Sequence, residues 1–213
     1  MIQVDYILIM VYVPEHFDTA NLEDIKDLVV KVGMGTLITS GSENDIQASH
    51  IPVELRDREA MPTVVGHLAR KNHQSTDLEN ATEALLIVQG PHGYISPRWY
   101  DHENVPTWDY AVVHFRGPLE VLSEEELKAH LRRLVKIYEP DNKAYQSPDQ
   151  MIEDYVSEII GFRLNTNKIT PAFKLTQYKS RASVDGVVEG LKERQQPDDP
   201  ELANLIKRHN QKK

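Results

Sequence analysis

Residues 63–80 read TVVGHLARKNHQSTDLEN. The first seven form a β-branched run bounded by turn formers, which reads as a strand. Arg70, Lys71 and Asn72 fall just past its end, and HQSTDLEN can open a helical turn. The run from Ala60 to Thr76 holds no acid, although the chain as a whole carries a formal charge of -9. Two cations beside the backbone N–H groups of a helix start make a seat for an anion. The same cations can equally solvate a turn, or pair with Asp77 and Glu79, as surface ion pairs commonly do.

Working outward, the neighbouring segments have the same character. MGTLITS (34–40), IQASHIPVEL (46–55), ALLIVQG (84–90), HGYIS (92–96) and YAVVHFRGPLEVL (110–122) read as strands, with GSEND (41–45) a hairpin turn. Leu22, Ile25, Leu28, Val29 and Val32 have helical spacing and end at Gly33, a natural C-terminal cap. Ser123 with Glu126 three residues on is a capping box that opens a helix striped by Leu127, Leu131, Leu134, Val135 and Tyr138. Ser147, Pro148 and Gln150 repeat that start signal for a shorter helix to about Val156. EIIGFRLNTNKIT (158–170) and AFKLTQ (172–177) read as late strands, and Val184, Val187, Val188 and Leu191 as a final helix. Strands grouped between helices, without βαβ alternation, predict an α+β protein on an antiparallel barrel or sheet.

At 213 residues, the length suits one well-filled core. There are no cysteines, which removes thiol catalysis, disulfides and Cys-ligated zinc. The apolar YILIMVY near the start is too short to span a bilayer and lacks the flanks of a signal peptide, so a cytoplasmic protein with no membrane association is expected. Met10 offers a second start, with residues 1–9 an extension. A pI near 5.5 argues against a broad phosphate-binding face for DNA. The basic ending KRHNQKK (207–213) reads as a solvated tail.

Familiar catalytic signatures are missing: GxGxxG after a strand, GxxxxGK[ST], GxSxG and HExxH. Nor is there a helix-turn-helix, zinc finger or basic helix, so any contact with DNA has no recognisable vehicle. Tyr94, Trp99, Tyr100, Trp108 and Tyr110 gather in a Pro-rich region, where they could stack on a flat ligand, fill a dimer contact or pack as core. His50, His67, His92 and His114 fall on four expected strands. Without cysteine or a carboxylate at ligand spacing they define no metal set, and no metal is expected.

The segments MVYVPEHF (10–17), GTLIT (35–39), ASHIPV (48–53), GHLARKNHQ (66–74), QGPHGYISPRWY (89–100), VPTWDYAVVHFRG (105–117), EIIGFRL (158–164) and KLTQ (174–177), in this order, resemble the PaiB-like family of FMN-binding negative transcriptional regulators. That family belongs to the FMN-binding split-barrel superfamily, with the pyridoxamine-phosphate oxidases. The resemblance implies an α+β fold, a six-stranded antiparallel Greek-key split β-barrel with peripheral helices. Residues 10–194 would be that single domain, 1–9 an N-terminal extension and 195–213 a polar C-terminal tail. It also implies a homodimer with FMN at the interface, haem being the alternative cofactor. Arg70, Lys71 and Asn72, after the strand that carries His67, would hold the flavin phosphate. Thr36, Leu37, Ile38, Thr39, Ser49, His50 and Ile51 would line the ring and ribityl chain, partly through backbone groups. Trp108, Lys174 and Gln177 would reach in from the partner subunit. The chain has Phe173 and Tyr178-Lys179 where the family pattern has Trp and an Asn-Arg pair, and Lys179 cannot make a bidentate contact as arginine does. The expected function is negative regulation of transcription, the alternative a flavin- or haem-linked oxidoreductase on the same barrel.

Overall fold

A computed structural model describes residues 20–41, 45–57, 61–80, 83–141 and 148–211. The expectations for MVYVPEHF, the extension 1–9 and the Ser147 cap lie outside these. The elements run α1 (Leu22–Val32), β1 (Met34–Ser40), β2 (Ile46–Arg56), β3 (Thr63–Ala69), α2 (Ser75–Asn80), β4 (Ala84–Ile95), β5 (Thr107–Gly117), β6 (Leu119–Val121), α3 (Glu124–Tyr138), α4 (Pro148–Tyr155), β7 (Ile159–Leu164), β8 (Lys168–Lys174), α5 (Arg181–Arg194) and α6 (Asp199–Gln211). The strands bond in the order β6-β7-β3-β2-β1-β4-β5-β8. The fold is α+β of the split-barrel class, with eight strands where the resemblance implies six.

The chain divides into two compact units. The larger comprises Leu22–Gly90 and Val112–Ile169. Its centre is the β1–β2 hairpin, in which Thr36 opposes His50 and Leu37 opposes Ser49. Gly33 ends α1 at φ 65°, a left-handed conformation that glycine takes without steric cost. Leu37, Ile51, Val53, Val64, Leu68, Leu86 and Val88 are buried. On the opposite face of β2, β3, β7 and β6, helix α3 closes a satellite core of Val65, Leu122, Leu127 and Val156. The capping box at Ser123 forms as the sequence predicts, with Glu126 accepting from the Ser123 backbone N–H at 3.0 Å.

In the second unit the described parts are 91–111 and 170–211, together with Ala20 and Asn21. Helix α5 packs Trp99 against Gly186 and Gly190: an added Cβ at Gly190 would lie 2.2 Å from the indole ring. The stretch expected to be a polar tail instead carries α6, which buries Leu202, Ala203, Leu205, Ile206 and His209. These apolar positions recur at helical spacing, and the many charges between them occupy the other face.

Strand boundaries shift where proline and glycine read as breaks. β4 runs unbroken through Gly90-Pro91, so the two runs at 84–90 and 92–96 are one strand. The run expected at 110–122 starts earlier, at Thr107, and breaks at Pro118. EIIGFRLNTNKIT divides at 165–167, and its end joins AFK across Pro171 in β8. β8 is last in the order, and an outer strand tolerates the missing N–H of a proline.

Candidate functional site

Strand alternation sorts the expected cofactor residues of the larger unit onto two faces of the hairpin. Leu37, Thr39, Ser49 and Ile51 lie on the side covered by the turn after β3. There Gln74, fully buried, donates through Nε2 to the Leu37 carbonyl at 3.1 Å and to Thr39 Oγ1 at 3.0 Å. Thr39 in turn donates to Asp77 at 2.7 Å. Asn72 donates to Ser49 Oγ at 2.8 Å and accepts from the Gln74 N–H at 3.0 Å. The turn is thus held to the hairpin by side chains that the sequence places at its start.

The two cations differ. Arg70 donates through Nε to the Ser157 carbonyl at 3.1 Å and through Nη2 to the Ile159 carbonyl at 3.0 Å, fixing the turn to the start of β7. Lys71 is 92% exposed, with Glu158 at 4.0 Å. Its ammonium is a compact point charge on a flexible stem.

Thr36, Ile38 and His50 project from the other face, where Thr36 Oγ1 and His50 Nδ1 are 2.9 Å apart. Thr36 also opposes Ile87, and Ile38 opposes Leu85. On the same face Met34, Ile46, Ala48 and His50 are exposed, while Thr36, Ile38, Leu85 and Ile87 are half-buried.

His67 faces α3. Its Nδ1 is 3.2 Å from His130 Nε2, and His130 Nδ1 is 3.1 Å from Glu54 Oε2. Glu54 also accepts from Arg133 Nε at 2.8 Å and Arg56 Nη1 at 2.8 Å. Burial alone would raise the Glu54 pKa, but the bonds from His130, Arg56 and Arg133 carry it down to about 2. Burial first, and then His130, push His67 down to about 4. An ionised Glu54 only accepts, so His130 donates to it from Nδ1.

In the second unit, Lys174 and Gln177 line a cavity of about 600 Å³ with Tyr100, Thr107, Asp109 and Lys179 among its other walls. Lys174 donates to Thr107 Oγ1. Gln177 is turned onto its own loop, accepting from the Leu175 N–H at 2.7 Å and donating to the Phe173 carbonyl. Thr176 and Tyr178 stand at φ 57° and 62°, a left-handed backbone that non-glycine residues seldom take without being held there. Asp109, 1% exposed, accepts from Thr176 Oγ1 at 2.5 Å, and burial pushes its pKa up to about 6 against the pull of Thr176 and Lys174. Trp108 stands apart from this cavity's lining: half exposed, it donates from Nε1 to His92 Nδ1 at 3.1 Å and meets Tyr94 edge-on.

Of the aromatic group, Trp99 is a packing residue and Tyr100 a cavity wall. The four histidines have separate settings: His50 meets Thr36, His67 meets His130, His92 meets Trp108, and His114 Nδ1 is buried without a partner among the described residues. Sequence reasoning missed Glu54, His130 and Arg133, although His130 sits between Leu127 and Leu134 on the apolar side of its helix, where a polar residue is a signal. It also missed Asp109, whose burial follows from strand alternation next to Trp108.

The antiparallel α+β sheet with its flanking helices matches the split-barrel class of structures. The protein belongs to the PaiB-like family described as "Putative FMN-binding domain", whose pattern matches residues 11–168. It is 32% identical over 199 residues to protease synthase and sporulation protein PAI 2 of Bacillus subtilis, covering 92% of this chain and 96% of the relative. An uncharacterized protein of Saccharomyces cerevisiae is 34% identical over 140 residues, 54% of this chain and 81% of its own. Among solved structures, the FAD and heme binding protein of Mycobacterium smegmatis superposes with a TM-score of 0.57 at 15% identity, over 80% of this chain and 78% of the other. The flavocytochrome Anf3 of Azotobacter vinelandii gives 0.53 at 14% identity, over 78% and 73%. Those two likenesses concern the fold. Among the described residues no helix is long and apolar enough to cross a membrane.

Proposed function

We propose that the protein is a cytoplasmic, homodimeric FMN-binding regulator that represses transcription. The family match over residues 11–168 carries the flavin part of this reading. The donor set around the β3 turn suits the ligand: a hydroxyl on Ser49, an amide on Asn72 and the exposed ammonium of Lys71 match the polyol and dianionic phosphate of FMN. FMN, when bound, supplies the redox chemistry of its ring, while the chain binds, orients and shields it. The exposed Met34 and Ile46, beside the half-buried Ile38, Leu85 and Ile87 on the same sheet face, support self-association, since exposed apolar surface marks contact sites. The regulatory part rests on the relative whose name joins it to protease synthesis and sporulation.

Titration with FMN, followed by flavin fluorescence and by sedimentation, tests the first two parts. Saturable quenching by a species of twice the chain mass is expected. Absence of binding by a correctly folded protein rejects the flavin reading. A salt-sensitive shift of promoter DNA, with no shift of unrelated DNA, tests the regulatory part.

One observation favours a second reading, a flavin- or haem-linked oxidoreductase. Asp109, with its pKa near 6 at the wall of the 600 Å³ cavity, is poised for proton transfer close to neutral pH. NAD(P)H-dependent reduction of bound flavin that falls in Asp109→Asn would select it.

A further inference from the structure

We propose that the larger unit carries a second anion site, separate from the flavin seat: a pocket for a small oxyanion of the phosphate class, between α3 and the β2–β3–β7 face. A cavity of about 310 Å³ lies there, and Arg56, Arg133 and Arg163 all line it. Its volume equals that of roughly ten waters at about 30 Å³ each, room for phosphate or a small phosphate monoester.

Register explains the convergence. Arg56 opposes Thr63 across β2 and β3, and Arg163 opposes Val65 across β7 and β3, so alternation turns all four side chains to the face that α3 covers. Arg133 arrives from α3 itself.

The acids of the cavity are already engaged. Asp57 pairs with Lys26 at 2.7 Å. Glu126 takes Arg163 Nη2 at 2.7 Å and the Ser123 cap at 3.0 Å. Glu54, just beyond the lining, takes Arg133 through Nε and Arg56 through Nη1. Both terminal NH2 groups of Arg133, with Nε and Nη2 of Arg56, have no acceptor among the described residues. Thr63 is 4% exposed and lines the same cavity, and its hydroxyl has no hydrogen-bond partner among the described residues. A buried hydroxyl without a partner is costly, and planar guanidinium forks are the side-chain groups best matched to phosphate oxygens. An oxyanion in the cavity would accept from the terminal groups of Arg133 and Arg56 and bring an acceptor to the pocket that Thr63 walls.

The test is the thermal stability and calorimetric binding of the full chain with inorganic phosphate, with chloride at equal ionic strength as control. Wild type should gain stability with phosphate in a saturable manner. Arg133→Gln should weaken phosphate binding about tenfold, the loss of one charge-assisted contact. The double variant Arg70→Ala, Lys71→Ala, which removes the cations of the flavin seat, should keep the part of the phosphate response that Arg133→Gln loses, because the flavin seat shares no residue with this cavity. Since Arg133→Gln also disturbs Glu54, Thr63→Val decides should it fail to fold: without phosphate it should be at least as stable as wild type, and with phosphate it should bind several-fold more weakly. No saturable response in wild type overturns the proposal. So does a response that the Arg70, Lys71 variant loses while Arg133→Gln, or Thr63→Val in its place, keeps it.

Discussion

The Thr176 hydroxyl donates to Asp109 at 2.5 Å from a backbone held in the left-handed region at φ 57°. The KLTQ turn and the start of β5 are thereby tied together at a carboxyl that burial holds near pKa 6. In the unfolded chain an aspartate has its ordinary value of 3.8, so the folded state binds the proton more tightly. Between about pH 4 and pH 6 stability should therefore fall as pH rises, by at most about 3 kcal/mol, and stay level above that window. Asp109→Asn keeps an acceptor for Thr176 and removes the titration. Denaturant unfolding at a series of pH values should show the slope in wild type and its absence in the variant.

His67 has the opposite sign. Its pKa is lowered from 6.5 to about 4, so the stability it contributes is complete above about 6.5 and is lost as pH falls towards 4. Burial beneath α3 is the main cause, and the neighbouring His130 adds to it. In an NMR titration the His67 ring should remain neutral at pH 5.5. A His67 ring that titrates near 6.5 would remove the His67–His130–Glu54 chain as described.

Glu54 gathers His130, Arg133 and Arg56 at one half-buried carboxylate. Glu54→Gln leaves its cations without a counter-charge and should destabilise the protein by about 3 kcal/mol, as removal of one partner from a buried ion pair does. Thermal unfolding beside the exposed-pair control Asp185→Asn, expected within about 0.5 kcal/mol of wild type, measures it.

Arg70 and Lys71 should separate in their effects. Arg70 bonds the Ser157 and Ile159 carbonyls, so Arg70→Ala should lower both stability and FMN affinity. Lys71 is 92% exposed, so Lys71→Ala should leave the melting temperature nearly unchanged while weakening FMN by about tenfold, more at low salt than at high. Equal FMN affinity in Lys71→Ala and wild type would remove that residue from the flavin seat.

Gly190→Ala reverses the usual helix rule. Alanine is favoured over glycine within a helix by about 1 kcal/mol, yet here its Cβ would fall 2.2 Å from the Trp99 ring. A net loss of about 2 kcal/mol is expected from the overpacking, with a change in tryptophan fluorescence.

Local pattern determined a good deal of this protein. β1 and β3 begin and end where β-branched runs meet turn formers, α3 starts at its capping box, and α1 stops at Gly33, because each signal acts within a few residues. The order of the family's segments also identified the fold class and the flavin family. Signals that depend on position in the sheet were misread: Pro171 sits inside β8 because that strand is outermost, and 199–211 is helical because its apolar residues find a buried face. Tertiary structure alone decided what each candidate residue touches. Period-two alternation separates Ser49 from His50 by a whole sheet, and Arg70 spends its guanidinium on carbonyls 87 and 89 residues away. Glu54 meets His130 across 76 residues of chain. Such contacts follow from strand register and helix docking, which the whole chain sets together, so no local stretch of sequence contains them.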